Sequence, residues 1–169
     1  KSFYFTSHDL SWCKMRAFMT TPPPDVMWDR EVSGHPLYRD FGIDDHFTVE
    51  AATNHLRSLS GSHQPFFGVV HLNTNHYPYN TSESYQHWRG NDQDLYDNTV
   101  VEADAHFGRL IDALGESGNL ENTVILFTSD HGEAFNEHGY SAHYYCHFTE
   151  TVSVPLWIHL PPKLLDRCD

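Results

Sequence analysis

Several things are scarce in this sequence, and each scarcity closes off a class of protein. Three cysteines in 169 residues, Cys13, Cys146 and Cys168, show no C-x-x-C spacing. Their odd number prevents complete intramolecular pairing, so no redox compartment is legible in them. Basic residues are few: 10 Lys and Arg stand against 23 Asp and Glu, a formal net charge of −13. That balance lacks the clustered cations a nucleic-acid groove needs and excludes nucleic acid as a partner. No run approaches the roughly 18 to 20 uninterrupted apolar residues that span a bilayer. The opening KSFYFTSHDL has neither the basic n-region nor the apolar h-region of a signal peptide. There is no internal repeat, no low-complexity tract and no initiating Met. The chain starts inside what reads as a strand, Phe3 to Thr6, so a processed or excised chain with further sequence upstream is expected.

What is present is enough for one domain. Hydrophobic residues make up 39% of the chain and aromatics 14%, which supports a real core and excludes a disordered or fibrous chain. Val49, Ala52, Leu56 and Leu59 recur at steps of three and four and predict a helix. Val100, Ala103, Phe107, Leu110, Ile111 and Leu114 do the same, with Gly115 and Gly118 placed to stop the helix. The stretches Pro65 to Leu72, Thr123 to Thr128 and Val154 to Leu160 are short, nearly continuous apolar runs, read as buried strands. Thr20 to Asp45, with Pro22-Pro23-Pro24, shows no usable period and reads as one long loop. Strands alternating with helices give an α/β fold. In such a sheet ligands bind beyond the carboxyl ends of the strands, which directs attention to the turns after Leu72 and Thr128.

Histidine is in excess, 14 in 169 residues, and it is both a common metal ligand and a proton carrier near neutral pH. Directly after TVILFT stands Ser129-Asp130-His131-Gly132-Glu133. A carboxylate and an imidazole presented together at a strand end can hold one divalent ion, with Gly132 letting the backbone turn sharply. Taken alone, the same residues also read as a solvated turn with Asp130 as a cap. Glu137-His138-Gly139, His143 and His147 follow before the chain returns to VPLWIHL, so candidate ligands and proton donors gather between two adjacent strands. Among these His143 leans functional, His138 is open, and His147 and His159 read as surface or hydrogen-bonded residues. The turn after PFFGVVHL carries Asn75-His76-Tyr77-Pro78-Tyr79, where His76 in a Pro-stiffened loop can donate to an anionic ester oxygen or bind a metal. Asn80-Thr81-Ser82 fits the N-glycosylation triplet, a pattern frequent by chance, and carries no weight here.

The ordered set of motifs, H-x-P-Y, a helix with an internal Asp, N-T-V-I-x-F-T-S-D-H-G-E, E-H-G, a further His and V-P-L-W-I-H-x-P, resembles the sulfatase branch of the alkaline phosphatase superfamily. The likeness runs from about Phe66 to Pro162, and more loosely over Lys1 to Met19. It implies an alkaline-phosphatase/sulfatase-like sheet flanked by helices, incomplete at its N-terminus, with residues 1–169 forming the C-terminal portion of a single such domain. It implies that Asp130 and His131 bind the catalytic divalent ion, that His76 contacts the sulfuryl or phosphoryl group, and that His143 binds that group or assists the leaving oxygen. His138 belongs to the E-H-G turn with a less defined part, and Asp104 is structural.

The nucleophile and the remaining carboxylate ligands of the family lie upstream, and no Cys here has the C-x-P-x-R context that formylglycine formation requires. Hydrolysis of sulfuric or phosphoric esters is the activity so implied, with the fragment alone inactive. The alternatives are a non-catalytic sulfatase-like binding or regulatory domain of the cell envelope, or a phosphoethanolamine or phosphoglycerol transferase. An upstream acidic pair and a Cys, Ser or Thr in the family context distinguish catalysis from binding. Ca²⁺ is the leading metal expectation, with Zn²⁺ and Mn²⁺ as alternatives, because only half of the ligand set is visible. The implied partner is an anionic sulfate or phosphate ester, with membrane attachment only through an upstream segment. The implied location is extracytoplasmic: periplasm, cell surface or lysosome.

Overall fold

In the computed structural model the described residues are 1–38, 41–62, 64–144 and 147–165, the side chain of Cys13 apart. Cys146 and Cys168 lie outside them. The chain divides into two compact units, Lys1–Gly118 and Asn119–Asp169.

The first unit is built on a parallel sheet of β1 (Ser2–Thr6), β2 (Val26–Trp28) and β3 (Phe67–His71) in the order β2-β1-β3. β1 is central and the most deeply buried strand, with Phe3, Tyr4 and Phe5 at 8% exposure or less. Its register with β3 runs from Ser2 opposite Phe67 to Thr6 opposite His71. The carboxyl ends of both strands therefore open side by side. Helices α1 (Met15–Met19) and α2 (Arg30–Ser33) are short, whereas α3 (Asp45–Ser58) and α4 (Asp92–Glu116) are long and pack on each other, α3 also on β1. The predicted stripe of α3 is its buried face: Val49, Ala52 and Leu56, continued by Leu59, are nearly inaccessible. Asp44 caps α3 by accepting from His46 N, and Asn91 caps α4 by accepting from Asp94 N. α4 starts a full two turns before the apolar stripe that announces it, because Asn91 and the acids Asp92 and Asp94 complement the helix N-terminus.

Thr20 to Asp45 is not one long loop. It holds β2, paired in parallel with β1 from Phe3 opposite Val26 to Phe5 opposite Trp28, and the cap and single turn of α2. Three residues are too few to show a period. What places the segment is polar and non-local. Asp25 accepts from Ser2 N, and the inaccessible Asp29 both caps α2 through Val32 N and pairs with Arg16.

The second unit holds β4 (Ile125–Thr128) and β5 (Leu156–His159), paired antiparallel from Ile125 opposite His159 to Thr128 opposite Leu156, with the single turns α5 (Thr149–Val152) and α6 (Pro162–Leu165). The strands are where the apolar runs predict them, yet the expectation that they are buried does not hold. Leu126 and Leu156 are each 66% exposed, and Phe67 in β3 is 72% exposed. An apolar run records the capacity for burial, not its occurrence. α5 and α6 are too short to cover a sheet face. No helix among the described residues is long and apolar enough to cross a membrane.

Candidate metal centre and flanking histidines

The Asp-His turn leaves β4 at Thr128 and is tied to α5. Gly132 N donates to Thr151 O at 2.9 Å. A Cβ at Gly132 would lie 2.1 Å from the Glu150 carbonyl oxygen, so glycine is required for close approach. The expectation of a sharp turn made possible by glycine's backbone freedom is not met, since Gly132 has no positive φ, unlike Gly139 at +80°. The turn is stitched further by Ser129 Oγ, which donates to His131 O at 2.7 Å, and by His131 N, which donates to Asp130 Oδ1 at 3.0 Å.

His131 Nδ1 lies 2.8 Å from Gly132 O. A carbonyl only accepts, so Nδ1 carries the proton and Nε2 is left as the coordinating nitrogen. Metal-binding histidines are commonly oriented by this kind of backbone contact. Asp130 Oδ2 is 3.7 Å from His131 Nε2, with its side chain 74% exposed, so a hard oxygen and an imidazole nitrogen bracket one point. The donor chemistry fits a divalent cation as half of a ligand set. Among the described residues no group of three or more His, Cys, Asp or Glu is arranged to hold one.

Asp130, His131, His143, His147, Thr151 and Val152 line a cleft of about 330 Å³ within this unit. His143 stacks on His131 with ring centroids 3.8 Å apart, and its Nδ1 meets Glu133 Oε1 at 3.2 Å. The Glu133 side chain is only 6% exposed, which makes it a fixed anchor. His138 does not line the cleft. Its Nδ1 meets Glu150 Oε1 at 2.7 Å, its ring stacks on Phe148, and this hydrogen bond holds the Glu150 carboxyl below the usual carboxylate range. His138 thus fastens the E-H-G turn to α5. His159 is on β5, stacked with Trp157.

In the first unit His76 closes the tight turn after β3: its N donates to Asn73 O at 3.1 Å, and its own carbonyl accepts from Tyr79 N at 3.1 Å. Its Nδ1 donates to Tyr77 O at 2.8 Å, and Phe41 stands edge-on to the ring. The turn is anchored from beneath by the inaccessible Asp45, whose Oδ2 accepts from Asn73 N at 2.8 Å and from the Thr74 hydroxyl. Asp104 is an exposed position on α4. His76, His131, His138 and His143 therefore share one device, an oxygen acceptor that holds Nδ1.

Two residues of note escape a reading of the sequence. His147 reads as a surface residue, yet it lines the cleft. His8, beyond the end of β1, stands ring to ring with His71 at 4.5 Å, and His71 Nδ1 contacts the Tyr4 hydroxyl at 3.2 Å. The signal for His8 is an echo: Phe5-Thr6-Ser7-His8-Asp9 leaves β1 as Phe127-Thr128-Ser129-Asp130-His131 leaves β4.

The fold is that of the alkaline phosphatase superfamily. The chain is similar to the lipoteichoic acid synthase LtaP of Listeria monocytogenes, with a TM-score of 0.79 at 20% identity over 96% of this chain and 43% of that one. It is also similar to an alkaline phosphatase superfamily protein of Vibrio parahaemolyticus, with a TM-score of 0.71 at 19% identity over 96% and 38%. The sulfatase family profile matches residues 3–167, and the chain belongs to that family. Among curated relatives it is 24% identical to an endo-4-O-sulfatase of Bacteroides thetaiotaomicron, over 84% of this chain and 33% of the relative. It is 33% identical to human arylsulfatase A, over 75% and 26%. The chain thus spans about a third or less of the length of these relatives.

Proposed function

We propose that the chain supplies the C-terminal part of the catalytic domain of a metal-dependent hydrolase of sulfuric esters, with phosphoric esters as the related class. The observation that supports this most directly is His131, whose Nδ1 is committed to the Gly132 carbonyl at 2.8 Å while Nε2 faces Asp130. A solvated turn needs no such arrangement, whereas a ligand pair does. Asp130 and His131 would hold the divalent ion, Ca²⁺ in first place and Zn²⁺ or Mn²⁺ otherwise. Such an ion, when bound, neutralises charge on the ester oxygens and activates a nucleophile.

The other roles belong to the chain's own side chains. His143, oriented by Glu133 and lining the cleft, either steadies the transferred group or hands a proton to the departing alcohol oxygen. His76, in the first unit with Nδ1 fixed on Tyr77 O, is assigned contact with the sulfuryl or phosphoryl group. His138 keeps the E-H-G turn in place through Glu150. No residue of this chain is assigned as nucleophile, and the chain by itself is expected to be inactive. The names of the relatives support sulfate esters as substrates, and the extracytoplasmic location remains what the family resemblance implies.

The test uses the longest natural chain with aryl sulfate, aryl phosphate monoester and aryl phosphodiester, each with Ca²⁺, Mn²⁺ or Zn²⁺, beside Asp130→Ala. Turnover of the sulfate that requires both metal and Asp130 is expected. No turnover by a folded, metal-replete protein would move the assignment to a binding or regulatory member, and transfer to an alcohol acceptor in preference to water would move it to the transferases.

A further inference from the structure

The turn that carries His76 is held from outside itself. Each of the three residues before His76 is fixed by a buried side chain that a helix supplies. Asp45, the first residue of α3 and 1% exposed, accepts with Oδ2 from Asn73 N at 2.8 Å and from the Thr74 hydroxyl. Thr99, an inaccessible residue of α4, accepts from Asn75 Nδ2 at 2.9 Å and donates its own hydroxyl to Tyr96 O at 2.6 Å.

Two adjacent acids at the start of α3 do different things. Asp44 caps the helix by accepting from His46 N at 2.8 Å, whereas Asp45 turns its carboxylate to the loop after β3. A carboxylate is rarely inaccessible in a folded protein unless donors meet its oxygens. Here both donors come from consecutive residues of one turn, and the helix N-terminus to which Asp45 belongs favours negative charge. The stretch that leads into α3 is tied down as well. Ile43 N donates to Ser7 O at 2.9 Å just beyond β1, and a Cβ at Gly42 would lie 2.8 Å from Asn73 Nδ2. The start of α3 is thereby fastened to the end of β1, and Asp45 fastens it in turn to the loop after β3.

From Asp45 the constraint reaches His76 in two steps. Asn73 gives its N–H to Asp45, and its carbonyl accepts the N–H of His76 at 3.1 Å. The imidazole is then set by its Nδ1 on Tyr77 O. We propose that Asp45 is a positioning residue for the reaction: through Asn73 and Thr74 it sets where the His76 imidazole stands, and it acts on turnover only through His76. A misplacement of about 1 Å at a reacting group can cost roughly 10²-fold in rate, so an anchor two bonds removed is enough to matter. The effect on turnover rests on the hydrolase reading, while the link from Asp45 to the His76 ring does not.

Asp45→Asn and Thr74→Val are made in the longest natural chain, singly and each combined with His76→Ala. Thr74→Val keeps the side chain's shape and the Asn73 bond, and it carries the test if Asp45→Asn fails to fold. With an aryl sulfate, kcat should fall by about 10- to 100-fold in Asp45→Asn and by less in Thr74→Val, with KM changed less than about threefold. In the His76→Ala background the same substitutions should cost less than about twofold more, because residues that act as one unit are not additive. Nitrogen NMR of the histidine rings gives a readout that needs no turnover, with the His76 signals identified by their loss in His76→Ala. Displacement of the His76 signals alone is expected. Displaced His76 signals in a protein that turns over no ester keep the link from Asp45 to His76 and remove the hydrolase reading. Unchanged His76 signals, displacement of every histidine signal together, or an equal loss of kcat with and without His76 overturns the proposal.

Discussion

Glu133 Oε1 takes a hydrogen bond from His143 Nδ1 at 3.2 Å, and the carboxylate that does so is 94% hidden while the imidazole stacks on His131. The relation sets the ring's orientation and tautomer. Glu133→Gln keeps an oxygen acceptor and should keep His143 in its Nδ1–H form, whereas Glu133→Ala should not. Nitrogen NMR of the histidine rings reads this directly. Activity should fall by about 10- to 100-fold in the alanine variant, as for other orienting partners, with Gln recovering part of it. Unchanged ring-nitrogen shifts in Glu133→Ala would return Glu133 to a purely structural part.

Gly132→Ala tests the close approach of the Asp-His turn to α5. Its Cβ would sit 2.1 Å from a backbone carbonyl oxygen that cannot swing aside. Overpacking of this kind costs about 1–3 kcal/mol. A lower unfolding midpoint and weaker metal binding by calorimetry are expected together. A variant with wild-type stability would show that α5 yields.

His76→Ala should lower turnover by roughly 10² to 10⁴, the range for proton-transfer or charge-stabilising groups. Circular dichroism should stay unchanged, since Asp45 and not the imidazole anchors the turn. A loss below tenfold would leave His76 as a turn residue.

His55 gives a pH dependence of stability. It packs against Phe3 and Phe5, and burial first, with Lys1 second, pushes its pKa below the ordinary imidazole value of 6.5. The unfolded chain therefore binds this proton more readily than the folded one. Its contribution is fully present above about pH 6.5 and is lost as pH falls below that value toward the folded-state pKa. Denaturation midpoints at pH 7.5 and 5.5 should differ less in His55→Gln than in wild type. Equal pH slopes would remove His55 as a source.

The long-period signals were legible in the residues, and the local chemistry at each strand end was only half so. α3, α4 and all strands but β2 follow from runs and repeats that any segment carries within itself. β2 does not, because three residues have no period and Asp25 and Asp29 act across the chain. The Asp130-His131 pair can be read from its place after an apolar run. That His147 shares its cleft while His138 is turned toward Glu150 cannot, since five equivalent-looking histidines differ only in what stands against them.

The sequence by itself determined the class of the fold, the family and the two turns where chemistry concentrates, because burial periodicity and a strand-end Asp-His pair are properties of contiguous residues. Tertiary structure alone decided which strands pair and in which direction. It also decided that Gly132 is needed for a carbonyl's approach and not for a turn, and which carboxylate holds Nδ1 of His138 and of His143. The histidine outcomes depend on acceptors brought from elsewhere in the chain: Glu150 for His138 and Glu133 for His143. A hydrogen bond forms only where folding delivers both partners.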